Sequence, residues 1–137
     1  MRAILIALAA LLLAGCTALD YQPRAIGERE AYAVITAVAM QQPSTPTSIY
    51  LDRNYLGFRG LDGPLSGRPQ DIRERIYFNS LDGIELHRSG EGYRVRLSGS
   101  GGNTLREFHI ADRQQAERFV DALAYYRANA PAFTGLK

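Results

Sequence analysis

Between residues 76 and 110 apolar side chains recur at every second position in short bursts parted by turns: Ile76 and Phe78, Ile84 and Leu86, Tyr93, Val95 and Leu97, then Phe108 and Ile110. A period of two is that of a strand with one face buried, and consecutive strands joined by short glycine-bearing turns pair antiparallel. The period then changes. Asp112 stands three residues before Gln115, the spacing of a capping box, and Ala116, Phe119, Val120, Leu123 and Tyr126 recur at helical spacing. A sheet with one apolar face needs a cover, and this helix supplies it, which makes the chain α+β. Arg113, Glu117 and Asp121 fall on the helix face assigned to water.

Upstream, Ala31, Val34, Ile35 and Val38 follow i, i+3, i+4, i+7 within 28–42, with acids early and Pro43 just past the end, so this stretch is read as a helix. Tyr32, Val34 and Thr36 also alternate, but the segment is longer than an ordinary strand. Ile49 and Leu51 open a strand running toward Phe58. Gly57, Gly60, Gly63, Pro64, Gly67 and Pro69 then interrupt any regular element, and 57–75 reads as the longest loop. The expected order is an N-terminal helix, an antiparallel meander of four or five strands and a C-terminal amphipathic helix, forming one domain over 28–137. That length suffices for a single core without covalent staples.

The N-terminus is of another kind. Arg2 precedes an unbroken apolar run, Ala3 to Leu13, too short to cross a bilayer, which takes about 20 residues, and matching the charged and apolar regions of a secretory signal. The run ends in Leu13-Ala14-Gly15-Cys16, which resembles the lipobox of bacterial lipoproteins. The resemblance implies removal of residues 1–15 as a signal peptide, diacylation of the Cys16 thiol and attachment to a membrane by that lipid. Thr17 follows where lipoproteins retained in the inner membrane carry Asp, which implies onward transport to the periplasmic face of the outer membrane. Cys16 is the sole cysteine, so a lipidated chain has no disulfide. Residues 16–27, with Pro23 and Gly27 and no sustained periodicity, are read as a lipidated tether with a reach of about 17 Å.

The formal charge of +2 is too small to point to nucleic acid. The order Ile76-x-Phe78, Leu81 at a bend, Ile84-x-Leu86, Tyr93-Val95-Leu97, a glycine loop, Phe108, then a helix with Ala116 and Leu123 inward is similar to the distal half of pleckstrin-homology-like and GRAM-like domains. It departs from them upstream, where a helix precedes too few strands for a seven-stranded barrel. The resemblance implies a binding or scaffolding role.

Chemistry-bearing side chains gather in two places. With a tight turn at 89–92, the face opposite the apolar one carries a Glu85, Arg96, Glu107 row and a His87, Arg94, His109 row. Such rows are ordinary cross-strand charge pairs, or else a pH-sensitive patch; Arg94 between the imidazoles disfavours a metal ion. The second place is the 57–75 loop, where Arg59, Arg68, Arg73 and Arg75 offer planar forks to phosphate or carboxylate among Asp62, Asp71 and Glu74. Ser98 to Asn103 is glycine-rich but lacks the Lys-Ser/Thr and the helix of a phosphate-binding loop, and reads as a hairpin connection. There is no Gly-x-Ser-x-Gly elbow and no zinc spacing, and neither a cofactor nor a metal is expected. Two classes of function follow. One is a non-catalytic binding or envelope-assembly module whose partner is an envelope protein or an anionic lipid; the other is a small envelope hydrolase acting on cell-wall or lipid material with His87 or His109 as base.

Overall fold

The computed structural model describes residues 16–43, 48–59 and 72–132; residues 1–15 and Arg68 lie outside them. In chain order the elements are β1 (Cys16–Ala18), α1 (Glu28–Met40), β2 (Ile49–Leu51), β3 (Tyr55–Arg59), β4 (Ile72–Tyr77), a 3-10 turn (Phe78–Ser80), β5 (Gly83–Ser89), β6 (Gly92–Ser98), β7 (Thr104–Ile110) and α2 (Arg113–Asn129). The class is α+β, as read from the sequence, but a strand, β1, precedes the N-terminal helix, and seven strands stand where one meander of four or five was expected. The strands divide into two antiparallel sheets, ordered β1-β5-β6-β7 and β2-β3-β4.

Local chemistry accounts for the helix limits. Glu28 and Glu30 sit in the first turn of α1, where carboxylates complement the helix dipole. At α2, the Asp112 carboxylate accepts from the Gln115 backbone N–H at 2.8 Å. The other half of the expected capping box is diverted, since the Gln115 amide reaches Gln41 on the C-terminal end of α1 at 3.4 Å. The apolar stripes follow the sequence periodicity: Ala31, Ile35 and Val38 on α1 and Ala116, Phe119, Val120, Leu123 and Tyr126 on α2 are buried, while Val34 of the expected α1 stripe is only partly so. The Phe108 ring of β7 lies 4.9 Å from Phe119 of α2 and 6.3 Å from Phe58 of β3, so one side chain joins the helix layer to both sheets.

Four local expectations about the backbone are also corrected. The strand expected from Ile49 toward Phe58 is two strands, because the Asp52 carboxylate accepts from the backbone N–H groups of Asn54 (2.8 Å) and Tyr55 (3.0 Å) and turns the chain. The expected loop over 57–75 is cut back from both ends: Gly57 pairs with Tyr50 on one side and Arg75 on the other, and β4 begins at Ile72. Flanking strands supply the backbone partners that keep a glycine extended. Phe78, read as a strand residue, lies in the 3-10 turn, buried with its ring 4.9 Å from that of Tyr126. Finally, the segment 16–27 is no free tether. Its first three residues pair with β5, and Leu19, Tyr21 and Ile26 pack against the core.

Gln42, just beyond α1, is 3% exposed and holds the edge of β7. Its amide nitrogen donates to the carbonyls of Val38 (2.9 Å) and His109 (3.0 Å), while its oxygen accepts from the His109 N–H at 2.8 Å. One side chain thereby serves one residue of an edge strand as a neighbouring strand would. Gln42→Ala leaves the His109 N–H and carbonyl without this partner and is expected to cost about 1–3 kcal/mol. Phe119→Ala is expected to cost about 3–5 kcal/mol. Both are read from urea unfolding midpoints with the slope unchanged; a Phe119→Ala midpoint equal to the parent's would remove Phe119 from the core.

Candidate functional site

The helix face assigned to water carries a buried charge. Asp121 is 1% exposed, in contrast to exposed Arg113 on the same helix, because the N-terminal segment lies over it. Tyr21 donates its hydroxyl to the carboxylate at 2.7 Å, the Arg24 backbone N–H donates at 2.8 Å, and Arg118, one turn earlier on α2, forms an ion pair with it at 2.8 Å. Arg118 also pairs with Glu30 of α1 at 2.9 Å and donates to the Ala25 carbonyl at 3.4 Å. A carboxylate removed from water is tolerated only when its oxygens are matched, and here the matching donors come from residues 19–27, which form a strap across the helices, and from α2 itself. Burial, followed by the bond to Asp121, raises the Tyr21 pKa above the ordinary phenol value. Bonds to Asp121 and Glu30 raise that of Arg118.

Beside this cluster an open groove of about 730 Å³ runs between the helices. Ala33, Val34 and Ala37 of α1 form its apolar floor, and Glu30, Arg118 and Gln114 stand at its rim. Small side chains on α1 leave the room.

The two polar rows on the four-stranded sheet form in the register read from the sequence. Glu85 faces Arg96 and His87 faces Arg94 across β5 and β6; Arg96 faces Glu107 and Arg94 faces His109 across β6 and β7. Arg94 meets Glu107 diagonally at 3.4 Å, and the His87 ring contacts Glu85, two residues earlier on β5, at 3.1 Å. The Ser89 hydroxyl accepts from Arg94 at 3.3 Å, so its oxygen is engaged by a cation. The Ser98 to Asn103 connection is a hairpin loop, closed by Gly99 N–H to the Asn103 carbonyl at 3.0 Å, with Gly101 and Gly102 at positive φ.

Three of the four arginines expected on a loop sit in strands. Arg59 ends β3, Arg73 and Arg75 belong to β4, and Arg68 is outside the described residues. The structure places Arg75 over the Tyr55 ring at 5.4 Å, next to the Tyr50–Tyr55 stack. Arg106, which sequence reasoning passed over, occupies a more enclosed place. Its guanidinium lies 3.9 Å over the Phe58 ring and 5.5 Å from that of Phe108, and it pairs with Glu74 of β4, joining β7 to the other sheet. Among the described residues no group of three or more His, Cys, Asp or Glu side chains is placed to hold a metal ion, and no helix is long and apolar enough to cross a membrane. Comparison with protein-family models, with curated proteins and with solved structures found no match.

Asp121→Ala takes the acceptor from the Tyr21 hydroxyl and the Arg24 N–H, and from Arg118 one of its two carboxylates, and is expected to cost about 1–3 kcal/mol. Limited proteolysis of that variant should cut within 19–27, where the parent resists. Tyr21 has a pH signature. Its folded pKa is raised, so its contribution is complete below the ordinary phenol value of about 10 and is lost as pH rises through the folded value. Tyr21→Phe should therefore show a shallower fall in melting temperature above pH about 10 than the parent; identical slopes would remove Tyr21 from that transition.

Proposed function

We propose that this chain is a lipid-anchored domain of the bacterial envelope, held by Cys16 on the periplasmic face of the outer membrane, and that it acts by binding an envelope protein. The observation that carries the binding half is the open interhelix groove, whose apolar floor of Ala33, Val34 and Ala37 is edged by charge. A floor of small side chains beside a charged rim suits the insertion of a partner's larger apolar side chain. The anchor half rests on the apolar run and the Leu13-Ala14-Gly15-Cys16 tetrapeptide. Of the two polar surfaces, the sheet rows are occupied by pairs within the domain, each worth about 0.2–1 kcal/mol, and this favours a stabilising role for them.

Catalysis by His87 is the competing reading, favoured by its 3.1 Å contact with Glu85. Activity on cell-wall and lipid substrates that disappears in His87→Ala would overturn the binding proposal.

Two measurements test the proposal. Cys16→Ser should move the protein from the carbonate-washed membrane fraction to the soluble fraction; retention in the membrane defeats the anchor. Ala37→Arg fills the groove from an exposed position, so capture of a stoichiometric partner from detergent extract should be lost with the melting temperature unchanged. Full capture by that variant would move the contact surface elsewhere.

A further inference from the structure

We propose that the end of the four-stranded sheet formed by the start of β1 and the β5–β6 turn is the face that lies flat against the phospholipid headgroups. The inference rests on the lipid anchor at Cys16 and specifies what that anchor does to the domain. Cys16 is opposite Ser89, Thr17 opposite Arg88 and Ala18 opposite His87, and the Leu19 N–H continues the ladder to the Leu86 carbonyl at 2.8 Å. The backbone that would carry the lipid is thus already in the sheet, about 5 Å from its partner strand. The next residues cannot unreel as a leash, because Tyr21 and Arg24 are bonded to the buried Asp121.

Direction follows from register. β5 runs toward Ser89, the chain turns through Gly90 at φ 59° and Glu91, and β6 leaves at Gly92, so this turn is level with Cys16. Gly83 and Ser98 pair at the other end of the same strands, about 20 Å away, and the 99–103 loop lies beyond them.

Other elements end at the same level. A Cβ on Gly92 would stand 3.2 Å from the Ile110 carbonyl oxygen and 3.7 Å from the Ala111 Cα, which sets the start of α2 beside the turn. The Gln115–Gln41 contact brings the end of α1 there as well. Between them an open groove of about 360 Å³ is lined in part by Tyr93, Ile110 and Pro43. Ser89, Gly92 and Ala111 also line it, and the residues next to them in the chain, Arg88, Glu91 and Asp112, followed by Arg113, are exposed charges, two of each sign. A balanced rim with a half-buried tyrosine suits the mixed polarity of a headgroup layer and gives no preference for anionic lipid.

The test uses the lipidated chain in phosphatidylcholine vesicles. A fluorophore is attached at Glu91→Cys or at Ser100→Cys, both exposed positions, since acylated Cys16 leaves no competing thiol. With a quencher carried on lipid headgroups, the label at 91 should lose its emission and the label at 100 should keep it. A Gly/Ser insert between Cys16 and Thr17 should abolish the loss at 91, and added anionic lipid should change neither. Intact mass of Cys16 is read first. An unacylated cysteine defeats the anchor and this proposal with it; an acylated, vesicle-bound protein whose two labels are quenched alike overturns the orientation alone.

Discussion

Asp121 is the charge the rest of the N-terminal half is arranged around. Its side chain has no exposed surface, and an ionised carboxylate in that position costs several kcal/mol unless donors converge on it. Those donors come from places far apart in the chain: the Tyr21 hydroxyl, the Arg24 backbone and the Arg118 guanidinium. Arg118 in turn holds Glu30 and the Ala25 carbonyl, so the strap, α1 and α2 are fixed to one point. Removing any of the three donors exposes a defect at the helix pair and loosens β1.

The apolar side of the fold has its own junction at Phe108. It touches Phe119 above and Phe58 across, and Arg106 from the same strand roofs both Phe58 and Phe108 while pairing with Glu74. An arginine can serve here because its flat guanidinium stacks on aromatic faces while its edge donates to a carboxylate. The sheets therefore meet through aromatic and cationic contacts at their inner faces. Where β7 has no strand beside it, Gln42 supplies the hydrogen bonds at His109.

These two clusters bear on the proposed anchored role. A domain on a slack tether samples all orientations, whereas one whose first strand is bonded into the sheet presents fixed faces. With the strap bolted down, the interhelix groove keeps one wall, α1, at a set distance from the other, and a partner meets a preformed surface. On the sheet rows Arg94 is paired with Glu107 and Arg96 with Glu85, whereas the interhelix groove presents apolar area.

The amino-acid sequence by itself determined what depends on neighbours a few residues away. The helical stripes of α1 and α2, the Asp112 cap, the hairpins and even the Glu85–Arg96–Glu107 and His87–Arg94–His109 rows follow from periodicity and turn length, because a tight turn leaves one register that buries Leu86, Val95 and Phe108 together. Tertiary structure alone decided the rest. Asp121 carries no local sign of burial, since its helix position is polar and its partners other than Arg118 are 97 and 100 residues upstream. Gln42 meets β7 across 67 residues, and Arg106 meets Glu74 across 32. The 57–75 stretch misled for the same reason: Gly57 has no intrinsic strand preference and is held extended by Tyr50 and Arg75 on either side. A local pattern reports how a segment can bury one face; which distant donor satisfies a buried charge, or which strand rescues a glycine, exists only once the chain has folded.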